Sequence, residues 1–328
     1  MADRRDDNNT TNPGTAAFSQ HFQKIVDNIG LIIKGKTRVI ERALLCLIAE
    51  GHLLVEDVPG VGKTSLAKAL ATSIDCSFGR LQFTPDVLPT DVTGVNIWNR
   101  STGDFEFQPG PVFANIVLGD EINRASPKTQ AALLESMEER QVTIDGVSHQ
   151  LGRPFMVIAT QNPIEHEGTY PLPESQLDRF LMRINVGYPD TNSALDILET
   201  HGRGSSTPIG PVISLTDMRR MVDIANAVHV AQSLKRYIIE IAESSRSHSS
   251  LALGVSPRAT LSLQRGAKAL AAARGRDYVI PDDLKELAVP VLAHRLVMTP
   301  DAQLQGLTVA QVVDGILSAV PVPTSAGT

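Results

Sequence analysis

From Phe18 to Ala49 apolar residues recur at helical spacing, with breaks near Gly30 and Gly35. That pattern predicts two helices joined by a turn. His52 to Val55 is a short apolar run that reads as a buried strand. Asp57 to Gly62 reads as a loop, and Thr64 to Ile74 as a helix packed by Leu66, Ala69 and Leu70. Strand, glycine loop and helix in that order open a βα unit. Further short apolar runs fall at Leu81–Phe83, Ile116–Leu118, Phe155–Ile158 and Met182–Val186, with a helical stretch near Lys128–Arg140. Strands alternating with helices over residues 52–190 predict a three-layer α/β domain with a largely parallel sheet. Two alternating stretches interrupt it, one around Asp145-Gly146 and one around Thr102-Gly103. Both predict β-hairpins.

After Tyr188-Pro189-Asp190 the character changes to helical periods with few strand signals. Ser214 three residues before Asp217, Ser256 before Pro257, and Pro281-Asp282 mark helix starts. Gly202 to Gly210 is a Gly/Ser loop. Residues 191–325 therefore read as a separate all-helical domain, and residues 17–190 as the α/β domain with its two hairpins. Residues 1–16, polar and without a hydrophobic period, read as a disordered tail.

Composition narrows the partners. The 328 residues carry 30 Lys and Arg against 36 Asp and Glu, a net charge of -6. No global positive field is available to hold a polyanion, and no local basic stripe stands out: a run such as Arg274 to Arg276 is interrupted by Gly275 and followed by Asp277. This argues against a nucleic-acid partner. Two cysteines, Cys46 and Cys76, are too few for a disulfide framework and read as reduced thiols. The polar N-terminus lacks the apolar core of a signal peptide, and no apolar run reaches bilayer-spanning length. The chain reads as cytoplasmic, without membrane insertion.

The strongest chemical signal is Asp57-Val58-Pro59-Gly60-Val61-Gly62-Lys63-Thr64, followed by Ser65. Phosphate oxygens need backbone N–H donors arranged around them, and glycines permit the required dihedrals and close approach. Lys63 adds a charge that reaches β- and γ-phosphates, the Thr64 hydroxyl can ligate Mg²⁺, and the helix N-terminus adds its dipole. Asp57 stands where the strict pattern has glycine. A second strand, Ile116-Val117-Leu118-Gly119, ends in Asp120 and Glu121. Asp120 suits the metal and Glu121 the polarisation of an attacking water. ATP and Mg²⁺ are the expected ligands.

These residues resemble the MoxR family of AAA+ ATPases. The likeness is carried by Phe113-Ala114-Asn115, by Asp120 through Ala125, by Pro127 through Glu135, and by Ala159-Thr160-Gln161-Asn162-Pro163. Glu167 through Glu174 and Gln176-Leu177-Asp178-Arg179-Phe180 extend it, and the opening Glu56-Asp57-Val58-Pro59-Gly60 is itself typical of that family. The resemblance covers most of residues 20–190 and, more weakly, continues to about 320. It implies a P-loop αβα sandwich with a small helical lid, assembled into a ring, usually a hexamer, with ATP between subunits. Asn162 would be sensor 1, positioning the water beside Glu121. Arg179 would be the arginine finger of a neighbour's site, against the alternative of a local pair with Asp178 or Glu174. Arg258 would be sensor 2 of the lid, against the alternative of an exposed arginine; at a helix start it calls for an anion nearby. Arg124 would serve the subunit interface or a local salt bridge. Ile33 and Gly35 fall where relatives cradle adenine. Trp98 would face substrate or pore, or pack its own hairpin, and the histidines, among them His52, His149 and His166, read as structural or exposed. The family's clients are protein complexes under maturation, in some cases by cofactor or metal insertion, often with partners carrying a von Willebrand factor A domain.

Overall fold

Uninterrupted apolar strands need cover on both faces, and the computed structural model provides it. The model describes residues 13–163, 168–201 and 208–323; most of the predicted tail, His166, Glu167 and most of the Gly202–Gly210 loop lie outside them. Helix α1 spans Pro13–Gly30 and α2 Thr37–Ile48, with the turn at Gly35 in the left-handed region. The helix takes in residues 13–16, which the polar composition assigned to the tail. Thr15 is buried there, because α1 packs against α2 and later helices.

Strand β1 (Leu53–Glu56) leads into α3 (Lys63–Ser73), and β2 (Phe78–Gln82) follows. A short α4 (Pro89–Thr93) precedes the first hairpin, β3 (Gly94–Asn99) and β4 (Asp104–Pro109). Then come β5 (Ile116–Asp120), α5 (Pro127–Glu139), and the second hairpin, β6 (Gln141–Ile144) and β7 (Val147–Gln150). Strand β8 (Met156–Gln161), a single turn α6 (Glu174–Leu177) and β9 (Met182–Ile184) complete the core. The sheet order is β2-β5-β8-β1-β9, all parallel. Alternation along each strand splits the apolar residues between two faces. Leu53, Val55, Ile116, Leu118 and Ile158 join one cluster; Leu54, Val117, Val157 and Ala159 join the other, against Leu133 and Leu134 of α5.

The C-terminal part holds α7 (Thr191–His201), α8 (Leu215–Ala227), α9 (Gln232–Arg246), β10 (Leu251–Leu253) and α10 (Pro257–Ala273). It ends with α11 (Pro281–Leu292), β11 (Val297–Met298), α12 (Pro300–Leu304) and α13 (Val309–Ala319). Ser214 and Ser256 cap their helices as the sequence predicts. One expectation for this half needs correction. It is not all-helical, since β10 pairs antiparallel with β11. Its apolar core is also continuous with the sheet's, since Met218, Tyr237, Leu263 and Val291 belong to the same apolar cluster as one face of the sheet. Gly266 makes that contact close, since a Cβ there would meet Leu287 at 3.2 Å and Met182 at 3.4 Å. Among the described residues no helix is long and apolar enough to cross a membrane.

The two hairpins lean on each other. Phe107 stacks on His149 with centroids 4.2 Å apart, and Asn96 donates to Asp145 at 2.7 Å. Trp98 packs edge-on against Phe105 at 5.1 Å, yet 51% of it stays exposed. His52 is structural: it is buried, bonded to the Met137 carbonyl and the Val157 amide, and burial pushes its pKa down to about 3. Cys46 is buried, and burial pushes the Cys76 thiol up to about 12.

Candidate functional site

Parallel strands bring their C-terminal ends to one edge of the sheet, and the strand order decides which ends meet. Here β8 lies between β5 and β1. The phosphate loop therefore leaves β1 on one side of Asn162, and Asp120-Glu121 leaves β5 on the other. Register fixes the level: Glu56 pairs with Gln161, and the Asp57 amide donates to the Gln161 carbonyl at 3.2 Å. Arg183 on β9 pairs with Glu56 at 3.0 Å, and Gln161 also bonds Glu56.

Within the loop, Gly60 and Gly62 have φ of 84° and 93°, a region costly for residues with a Cβ. A Cβ at Gly60 would meet nothing within 4 Å, and one at Gly62 would meet Ile33 at 3.7 Å. The loop's backbone is therefore open on that side. Gly62 is also the N-cap of α3, so no side chain caps the first amides of that helix. Lys63 donates to the Asp57 carbonyl at 2.8 Å, which folds the ammonium back over the loop. Beside the loop, a cavity of about 310 Å³ is lined by Ile32, Ile33, Val61, Ser65, Gly187 and Pro189 among others. Ile33, one of the two residues read as an adenine cradle, lines this cavity. Gly35 instead turns the chain against Ser193 and Asp190.

Asp57, the departure from the strict loop pattern, has a local role. Its carboxylate accepts from the Val58 amide at 2.9 Å and from the Gly187 amide at 2.5 Å. That ties the phosphate loop to the segment leaving β9 for the lid. Asp57→Ala would leave the partly buried Gly187 amide without this acceptor, at a cost of about 1 kcal/mol. The expected result is a lower urea midpoint; an unchanged midpoint would show that the clasp contributes nothing.

At the end of β5, Asp120 accepts from Thr160 at 2.7 Å and pairs with Arg80 at 3.0 Å. Glu121 has a φ of 58°, unusual for a non-glycine residue, and its amide donates to the Thr160 hydroxyl at 2.9 Å. Its carboxylate lies 3.2 Å from the Gln82 amide nitrogen and 3.4 Å from Arg124. Arg124 therefore makes a local salt bridge within the protomer. Arg80, Gln82 and Thr160 are contributors that sequence reasoning missed. A Thr beside Asn162 on β8 was the available signal for the last. The strand read at Leu81–Phe83 gave no sign that it would lie beside β5, because that contact is set by pairing across the sheet.

Arg179 and Arg258 do not join this edge. Helix α5 runs back from the end of β5, and its 13 residues cover about 20 Å. Near its end Glu138 pairs with Arg179 at 3.1 Å and also with Arg258. The neighbouring His52 and Leu181 sit at the N-terminal ends of β1 and β9, where the Leu181 amide bonds the His52 carbonyl. The two arginines thus stand at the far end of the sheet from their own phosphate loop. Arg179 does make a local ion pair, but its carboxylate is Glu138; Asp178 is taken by Arg295 at 3.0 Å and by the Ser256 hydroxyl.

A glycine loop on the first strand, an acidic pair on its second neighbour and an asparagine on the strand between, capped by a helical lid, are the parts of an AAA+ module. Residues 52–182 match the model of the ATPase family associated with various cellular activities, and residues 243–316 match the AAA lid domain. The chain is 42% identical to the chaperone MoxR1 of Mycobacterium tuberculosis over 94% of its own length and 84% of that protein. The chain belongs to the MoxR family of AAA+ ATPases. It is also 51% identical to the protein YeaC of Bacillus subtilis, covering 92% of this chain and 94% of that one. A solved structure described as a candidate ATPase, from Cytophaga hutchinsonii, superposes with a TM-score of 0.89 at 39% identity, covering 95% and 97% of the two chains. That agreement spans the MoxR core and its lid together.

Proposed function

We propose that this MoxR protein hydrolyses Mg·ATP at a site completed by a second copy of the chain, in a ring, as a hexamer. The observation that carries this reading is the separation just described. One protomer offers the phosphate loop, Asp120, Glu121 and Asn162 at one end of its sheet, and Arg179 and Arg258 at the other. An ATP held on the loop meets those arginines only from a neighbour.

The amides of residues 60–64 would hold the phosphates, with Lys63 on the β- and γ-groups. Thr64 and Asp120 would hold Mg²⁺, which when bound neutralises phosphate charge. The fit is supported by the uncapped α3 terminus and by the open glycines at Gly60 and Gly62. Glu121 would take a proton from the attacking water, positioned by Asn162. The neighbour's guanidiniums would stabilise the charge that builds on the transferred phosphoryl group. Turnover would drive remodelling or maturation of client protein complexes, as the chaperone name of MoxR1 indicates for that relative. Insertion of a cofactor or metal into a client, and partners with a von Willebrand factor A domain, are the client classes the family resemblance offers. The division near residue 190 into an ATPase core and a lid belongs to the same proposal.

A shared site makes activity depend on assembly. ATP turnover per protomer is expected to rise with protein concentration and then level off. Arg179→Ala should lower the plateau by about 10³-fold, the low end for loss of such an arginine. Turnover per protomer that is constant on dilution into the monomeric range would contradict the reading.

A further inference from the structure

We infer that Glu138 is a positioning residue: its one carboxylate holds Arg179 and Arg258 together as a single two-pronged group presented to the neighbouring subunit's phosphates. This rests on the shared-site reading and extends it to a residue that the sequence left unassigned. One carboxylate oxygen takes Nη2 of Arg179 at 3.1 Å, and the other takes Nη2 of Arg258. A guanidinium has five N–H donors. A contact through one terminal nitrogen leaves the rest of each fork able to meet phosphate.

The surroundings give the carboxylate its weight. Arg140 and Arg265 line the same cavity as Arg179 and Arg258, so four guanidiniums crowd one recess of about 190 Å³. The other acids there are already engaged. Glu50 pairs with Arg140 and Arg153, and Asp178 with Arg295. Without Glu138, like charge would drive Arg179 and Arg258 apart. Their backbones are fixed independently. Arg295 of the lid bonds the carbonyls of Asp178 and Phe180, which flank Arg179, at 3.1 and 2.7 Å. The Asp178 carboxylate accepts from Ser256, the N-cap of the helix that carries Arg258. The finger turn and the start of α10 are thereby joined, and Glu138 from α5 sets where the two charged heads point.

The test uses full-length chains. Glu138→Gln should lower kcat for ATP by roughly 10- to 10²-fold, the scale on which misplacing a catalytic group acts. KM for ATP should stay near the wild-type value, because the phosphate loop is untouched; Glu139→Gln on the same helix serves as the control. Glu138→Gln mixed with Glu121→Gln should be more active than the sum of the two alone, since the first supplies an intact loop and base and the second intact arginines. Arg179→Ala mixed with Glu121→Gln is the reference. If that reference pair gains activity and the Glu138→Gln pair does not, the inference about Glu138 is overturned while the shared site stands. If the reference pair also shows no gain, the shared-site reading fails and the inference with it. Wild-type kcat for Glu138→Gln would overturn the inference directly.

Discussion

Glu121→Gln is expected to bind Mg·ATP as tightly as the wild-type chain while turning it over about 10²–10⁴-fold more slowly, the range for loss of a general base. The substitution keeps the shape of the side chain and removes its ability to accept a proton. Position 121 tolerates no freer change. Its backbone sits at a φ of 58°, with its amide on the Thr160 hydroxyl, and Gln82 and Arg124 flank the carboxylate. Gln retains a carbonyl oxygen for those two donors, so binding should survive. Phosphate release and the Kd of a fluorescent ATP analogue, measured on the same preparation, separate the two effects. Steady hydrolysis at the wild-type rate would remove Glu121 from the mechanism.

Lys63→Ala is expected to lose binding itself. The ammonium folds over the phosphate loop against the Asp57 carbonyl, and no other lysine or arginine lies within the loop from Asp57 to Gly62. Its charge-assisted contacts with two phosphates would be worth several kcal/mol together, so affinity should fall by on the order of 10²-fold or more. Lys63 caps no strand and fills no core, so the unfolding midpoint of the protein without nucleotide should hardly move. Wild-type affinity in the alanine variant would place the triphosphate elsewhere.

The phosphate loop, the acidic pair and the hairpins were legible because each is a local pattern: two glycines one residue apart before a helix, a carboxylate ending an apolar run, Asp-Gly between alternating residues. What the sequence hid is set by residues far apart. Thr15 looks like part of a polar tail, and only its packing inside α1 buries it. Strands β10 and β11 pair across more than forty residues, and each is too short to show a period. Asp57 reads as a flaw in a glycine motif until the Gly187 amide comes to meet it. The acid expected beside Arg179 by proximity was Asp178 or Glu174. The partner is Glu138, brought there by the direction of α5. Arg258 at its helix start was read as calling for a phosphate, and in the protomer the anion it meets is the same Glu138 carboxylate.

The most direct measurement is phosphate release by the purified chain with saturating Mg·ATP, set against the Lys63→Ala variant as background. The account predicts sustained multiple turnovers well above that background, lost again on dilution below the assembly range. Release no faster than from Lys63→Ala at any protein concentration would contradict it.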